Sequence, residues 1–251
     1  NPLIVHIADI STLKLLVMKI KPEAEKLMHA FWPGPLTLVF EKSPNVPKVT
    51  TGGLDTVAVR MPDHPVALEL IKKAGVPVAA PSANRSGKPS PTLAEHVLED
   101  MDGRIPYIID AGPCRVGGES TVLALTEDTP VILRPGGVTI DMIEDVIGRV
   151  KQYKTETNIE MIKSPKSPGM KYVHYAPKGE VIVVSGKNKV SEWINEKLSE
   201  DEKNSIKAVV VAADENIENY SAGIKMSYGS IKSPQEAAAS IFRIFRDCDR
   251  L

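Results

Sequence analysis

Proline limits what this chain can fold into more than any other residue. The sequence contains 20 prolines, and in its first part they come in tight groups at 33–35, 44–47, 62–65, 77–81 and 89–91. Proline fixes φ and has no backbone N–H, so these groups cannot lie inside helices or central strands. We therefore expect short elements joined by shaped loops, and loops of this kind commonly carry binding groups.

Between these loops, short runs rich in Val and Ile predict strands, and amphipathic stretches predict helices. The predicted strands cover 3–7, 36–40, 56–60, 77–80, 106–109, 120–125 and 131–133. The predicted helices cover 23–30, 66–74, 92–101 and 139–150. Strands and helices in this irregular alternation favour an α/β or α+β sheet domain over residues 1–150.

Residues 151–178 differ in character, because they are polar and contain a Ser-Pro-Lys-Ser-Pro-Gly run at 164–169. This composition predicts a long ordered linker, and such linkers are often functional. The remaining residues, 179–251, alternate as strand, helix, two strands and helix, with strands predicted at 180–184 and 208–213. That order favours a small Rossmann-like domain with a parallel sheet. Its last helical pattern runs to the final residue, so we expect a truncated domain.

Composition excludes several classes of protein. The chain has 31 Lys and Arg against 32 Asp and Glu, a net charge of −1, which argues against a dedicated nucleic-acid-coating role. The longest apolar run, 208–213, is far shorter than the roughly 20 residues that cross a bilayer. Cys114 and Cys248 form no CxxC motif, and the histidines never pair at ligand spacing, so we expect a cytoplasmic protein without a membrane segment or resident metal.

Polar residues follow the apolar run at 76–80. Ser82 and Asn84, two positions apart, would share one side if the strand continues, which places a hydroxyl and an amide in the same cleft. The carboxyl ends of strands are where α/β sheets bind ligands. A turn capped by Ser and Asn explains the same pattern equally well.

Two arginines end predicted strands. Arg60 closes the run 56–60, and Arg134 precedes a Pro-Gly-Gly turn at 135–137. A guanidinium at a strand end suits a carboxylate or phosphate, although a surface ion pair is the plain alternative. Ser120 opens another strand after two glycines, where a hairpin turn is nearly as good an interpretation, and His6 ends the first strand.

Common nucleotide and hydrolase signatures are missing from the sequence. It contains no GxGxxG, no GxxxxGK[ST], no HExxH and no GxSxG. The run FWPGPL at 31–36 favours a turn anchored in the core over a binding motif. The strand-end residues suit an anionic small molecule held by hydrogen bonds, without a protein nucleophile. Three classes stay open: a nucleotide-using enzyme, an RNA-binding module and a ligand-sensing regulator.

Several exact strings carry a resemblance beyond this chemistry. In this number and order they resemble the YrdC-type threonylcarbamoyl-AMP synthases in their long, two-domain form. The strings are NPLIVH at 1–6, FWPGPLT at 31–37, VRMP at 59–62, PSAN at 81–84, ESTV at 119–122, LRPG at 133–136, SPGMKY at 167–172 and HYAP at 174–177.

The resemblance implies a fold and a reaction. The fold is a twisted mixed-sheet catalytic domain at 1–150, a linker acting as a lid at 151–178 and a Rossmann-like domain at 179–251. L-threonine and bicarbonate form a carbamate that attacks the α-phosphate of ATP, giving threonylcarbamoyl-AMP and pyrophosphate, with Mg²⁺ held mainly by the ATP phosphates. A downstream transferase then modifies an adenosine in tRNA, and direct tRNA contact is a further expectation.

The resemblance also implies roles for individual residues, none of them a covalent nucleophile. Those expected to bind threonine are His6, Arg60, Ser82 and Ser120. Those expected to bind ATP are Asn1, Thr56, Asn84, Thr92, Arg134 and Tyr175.

This chain departs from the family pattern at its beginning. The family's lysine-x-arginine motif and the threonine-rich strand before it are not in the sequence, and they would lie just upstream of Asn1. We therefore expect an N-terminally incomplete catalytic domain whose sheet lacks part of its core. An RNA-binding or ligand-sensing module of the same fold without turnover is the alternative, and a related chemistry using carbamoyl phosphate is another.

Overall fold

The computed structural model describes residues 1–153, 177–186, 188–221 and 223–251. Their contacts divide the chain into two compact units. The first contains Asn1–Ala83 and the described residues 119–153, and the second contains Asn84–Gly118 and the described residues from 177 to 251. The segment 84–118 therefore groups with the C-terminal part of the chain rather than with its neighbours in sequence.

The strands and most helices of the described residues are short, and α6 and α7 are the longest elements at 14 and 17 residues. The strands are β1 (Ile4–His6), β2 (Leu36–Glu41), β3 (Thr56–Arg60), β4 (Val78–Ala80), β5 (Thr121–Ala124), β6 (Val131–Arg134), β7 (Lys151–Gln152), β8 (Val210–Ala212) and β9 (Lys225–Ser227). The α-helices are α1 (Leu13–Leu16), α2 (Pro22–Phe31), α3 (Pro65–Ala74), α4 (Ala94–Met101), α5 (Ile140–Ile147), α6 (Val190–Lys203) and α7 (Pro234–Arg250).

Proline and glycine mark the ends of α2 and α3. Pro22 and Pro65 each open a helix, where the missing N–H is one that has no intrahelical partner anyway. The His64 ring accepts a hydrogen bond from the backbone of Val66, and Gly75 ends α3 in the left-handed region with φ 68°. These local signals explain why both helices begin and end where they do.

The first unit is built on one mixed sheet of seven strands in the order β4-β1-β3-β2-β5-β6-β7. Strands β1 and β3, β2 and β5, and β6 and β7 pair parallel, and the other neighbours pair antiparallel. One face packs an apolar core with α2 and α5, in which Ile7, Leu27, Leu38, Val59 and Ile143 are fully buried. The seven described strands form one hydrogen-bonded sheet over this core.

The opposite face of this sheet carries a smaller set of buried apolar residues. Its members are Ile4, Val39, Ala58, Val122, Ala124, Val131 and Leu133. On β1, β2 and β3 these positions alternate with residues of the main core, as strand periodicity requires. The register of the strands therefore shows which side chains share this second face.

The second unit contains α4, α6, α7 and the parallel pair β8–β9. Two strands expected from apolar runs, 106–109 and 180–184, are not formed, and Tyr107 and Val183 are about nine-tenths exposed (86% and 85%). An apolar run becomes a strand only where a neighbouring strand supplies hydrogen bonds. Among the described residues, no helix is long and apolar enough to cross a membrane.

Candidate active site at one edge of the sheet

Three strands bring polar side chains to one edge of the first unit's sheet. Parallel β1 and β3 both end there, and His6 and Arg60 are partners in register. Strand β2 runs the opposite way and pairs Leu38 with Val59, so Thr37 lies beside the end of β3. Thr37 lies on the same face as Val39 and on the opposite face from Leu38, and the register puts it on the same face as His6 and Arg60.

The next two strands continue this edge. Leu36 pairs with Thr121 at the start of β5, and Val122 pairs with Arg134 at the end of β6. Ser120, immediately before β5, and Arg134 are thus brought to the same edge. We call this set the polar edge; its members are His6, Thr37, Arg60, Ser120 and Arg134.

Arg60 is positioned by the turn that precedes β2. Its Nε donates to the carbonyl of Gly34 at 3.0 Å, and the Gly34 N–H donates to the carbonyl of Met61 at 2.9 Å. A Cβ at Gly34 would lie 2.3 Å from the Phe31 carbonyl oxygen, so only glycine fits there. The indole of Trp32 is buried and donates to the Leu36 carbonyl at 2.7 Å, which confirms that this turn is anchored in the core.

His6 stands beside Arg60 as a neutral imidazole. Burial and the adjacent Arg60 charge lower its pKa from the usual 6.5 to about 4, against smaller opposite effects of backbone hydrogen bonds with Val78 and Ile4. Its buried Nδ1 has no hydrogen-bond partner among the described residues. A buried polar atom without a partner is unusual, so His6 is suited to bind a ligand without adding charge.

Ser120 connects a buried hydrogen-bond network. Its Oγ lies 2.8 Å from Thr37 Oγ1, and Arg134 Nη2 donates to that same Oγ at 3.1 Å. Arg134 also donates from Nε and Nη2 to the Ser120 carbonyl at 3.2 and 2.9 Å, and Nη2 lies 3.3 Å from a carboxylate oxygen of Glu119. The geometry fixes both the serine hydroxyl and the guanidinium in place.

Gly136 is a steric requirement of this network. A Cβ there would lie 2.3 Å from the Glu119 carbonyl oxygen and 2.4 Å from the Thr121 nitrogen. The Pro-Gly-Gly turn therefore approaches the start of β5 more closely than any side chain allows.

The register places other predicted residues elsewhere in the first unit. Strand β4 is antiparallel to β1 and pairs Ala80 with Ile4, so Ser82, which is exposed, follows the end of β4 that lies away from His6. Thr56 opens β3, about 13 Å along the strand from Arg60. Asn1 is exposed and precedes β1 at this same far end. Strand direction thus separates these three from the polar edge.

Asn84 and Thr92 lie in the second unit. The Asn84 amide nitrogen donates to the carbonyls of Arg85 and Lys88 at 2.9 and 3.1 Å, which leaves its buried Oδ1 without a partner among the described residues. Thr92 is buried; its N–H donates to His96 Nδ1 at 3.3 Å, and its Oγ1 likewise has no partner there. Tyr175 lies outside the described residues.

Sequence reasoning missed Thr37 and overlooked the role of Gly34. A threonine inside the otherwise apolar run 36–40 was an available signal, because a fully buried hydroxyl needs a partner. That partner, Ser120, is 83 positions away, so no local pattern could have named it. Across the described parts of the chain, no group of three or more His, Cys, Asp or Glu side chains is placed to hold a metal ion.

Two family models match the chain. Residues 1–136 match the Sua5–YciO–YrdC model, described as "Telomere recombination", and residues 138–251 match the threonylcarbamoyl-AMP synthase C-terminal domain. The threonylcarbamoyl-AMP synthase of Pyrococcus abyssi is 49% identical over 251 residues, which cover 100% of this chain and 72% of the relative. This chain belongs to the threonylcarbamoyl-AMP synthase family.

Other members of the threonylcarbamoyl-AMP synthase family support the same conclusion. The Bacillus subtilis enzyme is 47% identical over 251 residues, covering 99% of this chain and 71% of its own. The crystal structure of P. abyssi Sua5 complexed with L-threonine superimposes with a TM-score of 0.90 at 48% identity, covering 100% of this chain and 72% of that one. The predicted family and mixed α/β fold class are confirmed, and the comparisons favour a synthase over a module without turnover.

Proposed function

We propose that this chain condenses L-threonine, bicarbonate and ATP into threonylcarbamoyl-AMP and pyrophosphate. Family membership supports an ATP-using synthase with threonine as substrate. The observation that carries the proposal is the polar edge, where the Arg60 guanidinium stands beside a neutral imidazole whose Nδ1 has no partner in the described parts of the chain. Such a pair suits an amino acid, which offers a carboxylate to one group and N–H or O–H donors to the other.

Threonine is held in this proposal by Arg60, whose guanidinium pairs with the carboxylate. His6 Nδ1 accepts a hydrogen bond from the amino or hydroxyl group, since the imidazole is neutral at pH 7 and adds no repulsion. Ser120 lines the same pocket through its hydroxyl, which Arg134 and Thr37 orient. Ser82 is assigned to threonine by family resemblance alone, since strand direction places it away from His6.

ATP is bound through polar groups that complement its phosphates, ribose and base. Arg134 supplies a phosphate contact in this proposal, and the buried acceptor Oδ1 of Asn84 and hydroxyl of Thr92 gain the partners that they lack. Asn1, Thr56 and Tyr175 are assigned to ATP by family resemblance. Magnesium enters with the substrate as MgATP, since the phosphates hold it.

The reaction requires that the substrates are positioned and that negative charge is neutralised. No covalent bond forms between a substrate and the protein. The threonine amine forms a carbamate with bicarbonate and releases water. A carbamate oxygen then attacks the α-phosphorus of ATP, the bond to the bridging oxygen breaks, and pyrophosphate leaves with its electron pair. Fixed cations that face the phosphates stabilise the charge of this transition state, and two substrates held in line lower its entropic cost.

The fate of the product and the roles of the three segments of the chain complete the proposed function. The product passes to a transferase that modifies tRNA in the cytoplasm, with or without direct tRNA contact by this chain. Residues 1–150 form the catalytic domain, 151–178 a linker that covers the nucleotide, and 179–251 the C-terminal domain. Cleavage within 163–171 should lower turnover more than it lowers thermal stability; cleaved protein with normal turnover would contradict a lid.

Pyrophosphate release from MgATP tests the proposed reaction. The expected result is release that requires both L-threonine and bicarbonate. Release that ignores threonine would overturn the substrate assignment, and dependence on carbamoyl phosphate in place of bicarbonate would point to the related carbamoyl-adenylate chemistry. RNA binding that falls steeply with salt, without any pyrophosphate release, would favour an RNA module.

A further inference from the structure

The second unit contains a loop that carries both of its predicted ATP contacts. We call residues 84–92 the nucleotide loop; it has no regular secondary structure between Asn84 and Thr92. Its own backbone supplies few restraints, since Lys88 N–H donates to the Arg85 carbonyl at 3.1 Å and Asn84 bonds to the carbonyls beside it. Something outside the loop must therefore hold it in place.

Arg246 of α7 makes that contact. Its guanidinium is buried and donates from Nε and Nη2 to the Pro89 carbonyl at 3.1 and 2.6 Å. The same Nη2 donates to Asp100 Oδ2 at 2.7 Å. A planar fork can serve both acceptors at once, whereas a single ammonium at the same site cannot match that geometry.

Asp100 extends the restraint along the loop. Its carboxylate is fully buried and accepts from Lys88 Nζ at 2.6 Å and from the Arg85 N–H at 3.3 Å. Burial alone would raise the pKa of this group, but hydrogen bonds from Arg246 and Lys88 outweigh it and lower the pKa to about 2. Asp100 is thus ionised at neutral pH, and removal of Arg246 leaves a buried charge with fewer partners.

We propose that Arg246 is a positioning residue for ATP binding: through the Pro89 carbonyl and Asp100 it fixes the nucleotide loop so that Asn84 and Thr92 meet the nucleotide. The inference rests on the proposed function and adds a task for the C-terminal helix, which contacts ATP nowhere in that proposal. Two of the four buried side-chain atoms that have no partner among the described residues, Asn84 Oδ1 and Thr92 Oγ1, lie at the two ends of the loop that Arg246 holds.

Arg246→Met tests the inference in the 251-residue chain, with Arg250→Met as the matched control. Arg250 lies one turn further along α7 and pairs with Glu95, Glu99 and Asp247, but has no contact with the nucleotide loop among the described residues. The measurements are calorimetric affinities for ATP and for L-threonine, KM and kcat for pyrophosphate release, and amide hydrogen exchange over 85–92.

We expect Arg246→Met to raise the Kd and KM for ATP about tenfold, because ATP binding must then order the loop that Arg246 otherwise holds, with threonine affinity unchanged and faster exchange over 85–92. Arg250→Met should match wild type. If Arg246→Met does not fold, Arg246→Lys replaces it, keeps the charge beside Asp100 and should still raise the KM for ATP.

Two outcomes overturn the inference while leaving the proposed function intact. One is a folded Arg246 variant that binds ATP as wild type does. The other is a parallel fall of ATP affinity, threonine affinity and thermal stability, which marks a purely structural residue. A wild-type chain that binds no ATP would instead refute the proposed function, and this inference with it.

Discussion

Arg60→Met is the substitution that tests the polar edge most directly. The side chain keeps an unbranched apolar stem but loses the guanidinium, so the threonine carboxylate loses its charged partner. A hydrogen bond to a charged group contributes about 1.5–3 kcal/mol, which corresponds to threonine binding roughly 10- to 150-fold weaker. Affinity for ATP should change little, because the proposed nucleotide contacts lie on other residues.

The structure predicts two further effects of this substitution. The Gly34 carbonyl loses the donor that lies 3.0 Å away, and leaving a buried acceptor without a partner costs about 1–3 kcal/mol of folding stability. The pKa of His6 should rise from about 4, because the Arg60 charge is one of its causes, but should stay below 6.5, because burial remains. Arg60→Lys should retain more of the depression of the His6 pKa than Arg60→Met.

Titration calorimetry with L-threonine measures the main effect, and nuclear magnetic resonance of the His6 ring measures its pKa. Arg149→Met, which removes an exposed arginine outside the polar edge, is the matched control and should bind threonine normally. Unchanged threonine affinity in folded Arg60→Met would refute the assignment. An unchanged His6 pKa would refute the electrostatic account of that ring.

Three other results follow from the same contacts. The pKa of His6 is about 4 in the folded chain and 6.5 in the unfolded chain, so only the unfolded chain takes up a proton as the pH falls between these values. The free energy of unfolding should therefore fall by about 3 kcal/mol over this pH range. His6→Gln should remove this part of the slope in urea titrations, leaving the part from His96, whose pKa burial also lowers. Ser120→Ala removes the partner of the buried Thr37 hydroxyl and one of the acceptors of Arg134 Nη2, so it should cost about 1–3 kcal/mol, and an unchanged urea midpoint would contradict the network. Gly136→Ala should destabilise by more than about 2 kcal/mol, whereas Gly118→Ala, with open space around its Cβ, should not; equal thermal midpoints would refute the steric argument.

The sequence could predict features that depend on near neighbours. Proline groups delimited short elements, and Pro22 and Pro65 marked where two helices begin. The arginines predicted to end strands do so, at Arg60 on β3 and Arg134 on β6. These features follow from φ restriction, missing donors and side-chain periodicity, which act within a few residues.

Apolar runs were a weaker guide, because a strand also needs a partner strand. Residues 106–109 and 180–184 have strand-like composition, yet both lack a ladder in the structure. Their backbone N–H and C=O groups can form hydrogen bonds with water instead. Amino-acid composition alone does not show whether a strand or water will be the partner.

Tertiary structure decided which residues meet. The order β4-β1-β3-β2-β5-β6-β7 brings His6, Arg60 and Ser120 to one edge, while antiparallel β4 carries Ser82 toward the other. Arg246 and Asp100 pair across 146 positions of sequence. Such contacts form only when the burial of many residues together offsets the entropy that is lost on closing long loops. They therefore depend on the whole chain rather than on any local pattern.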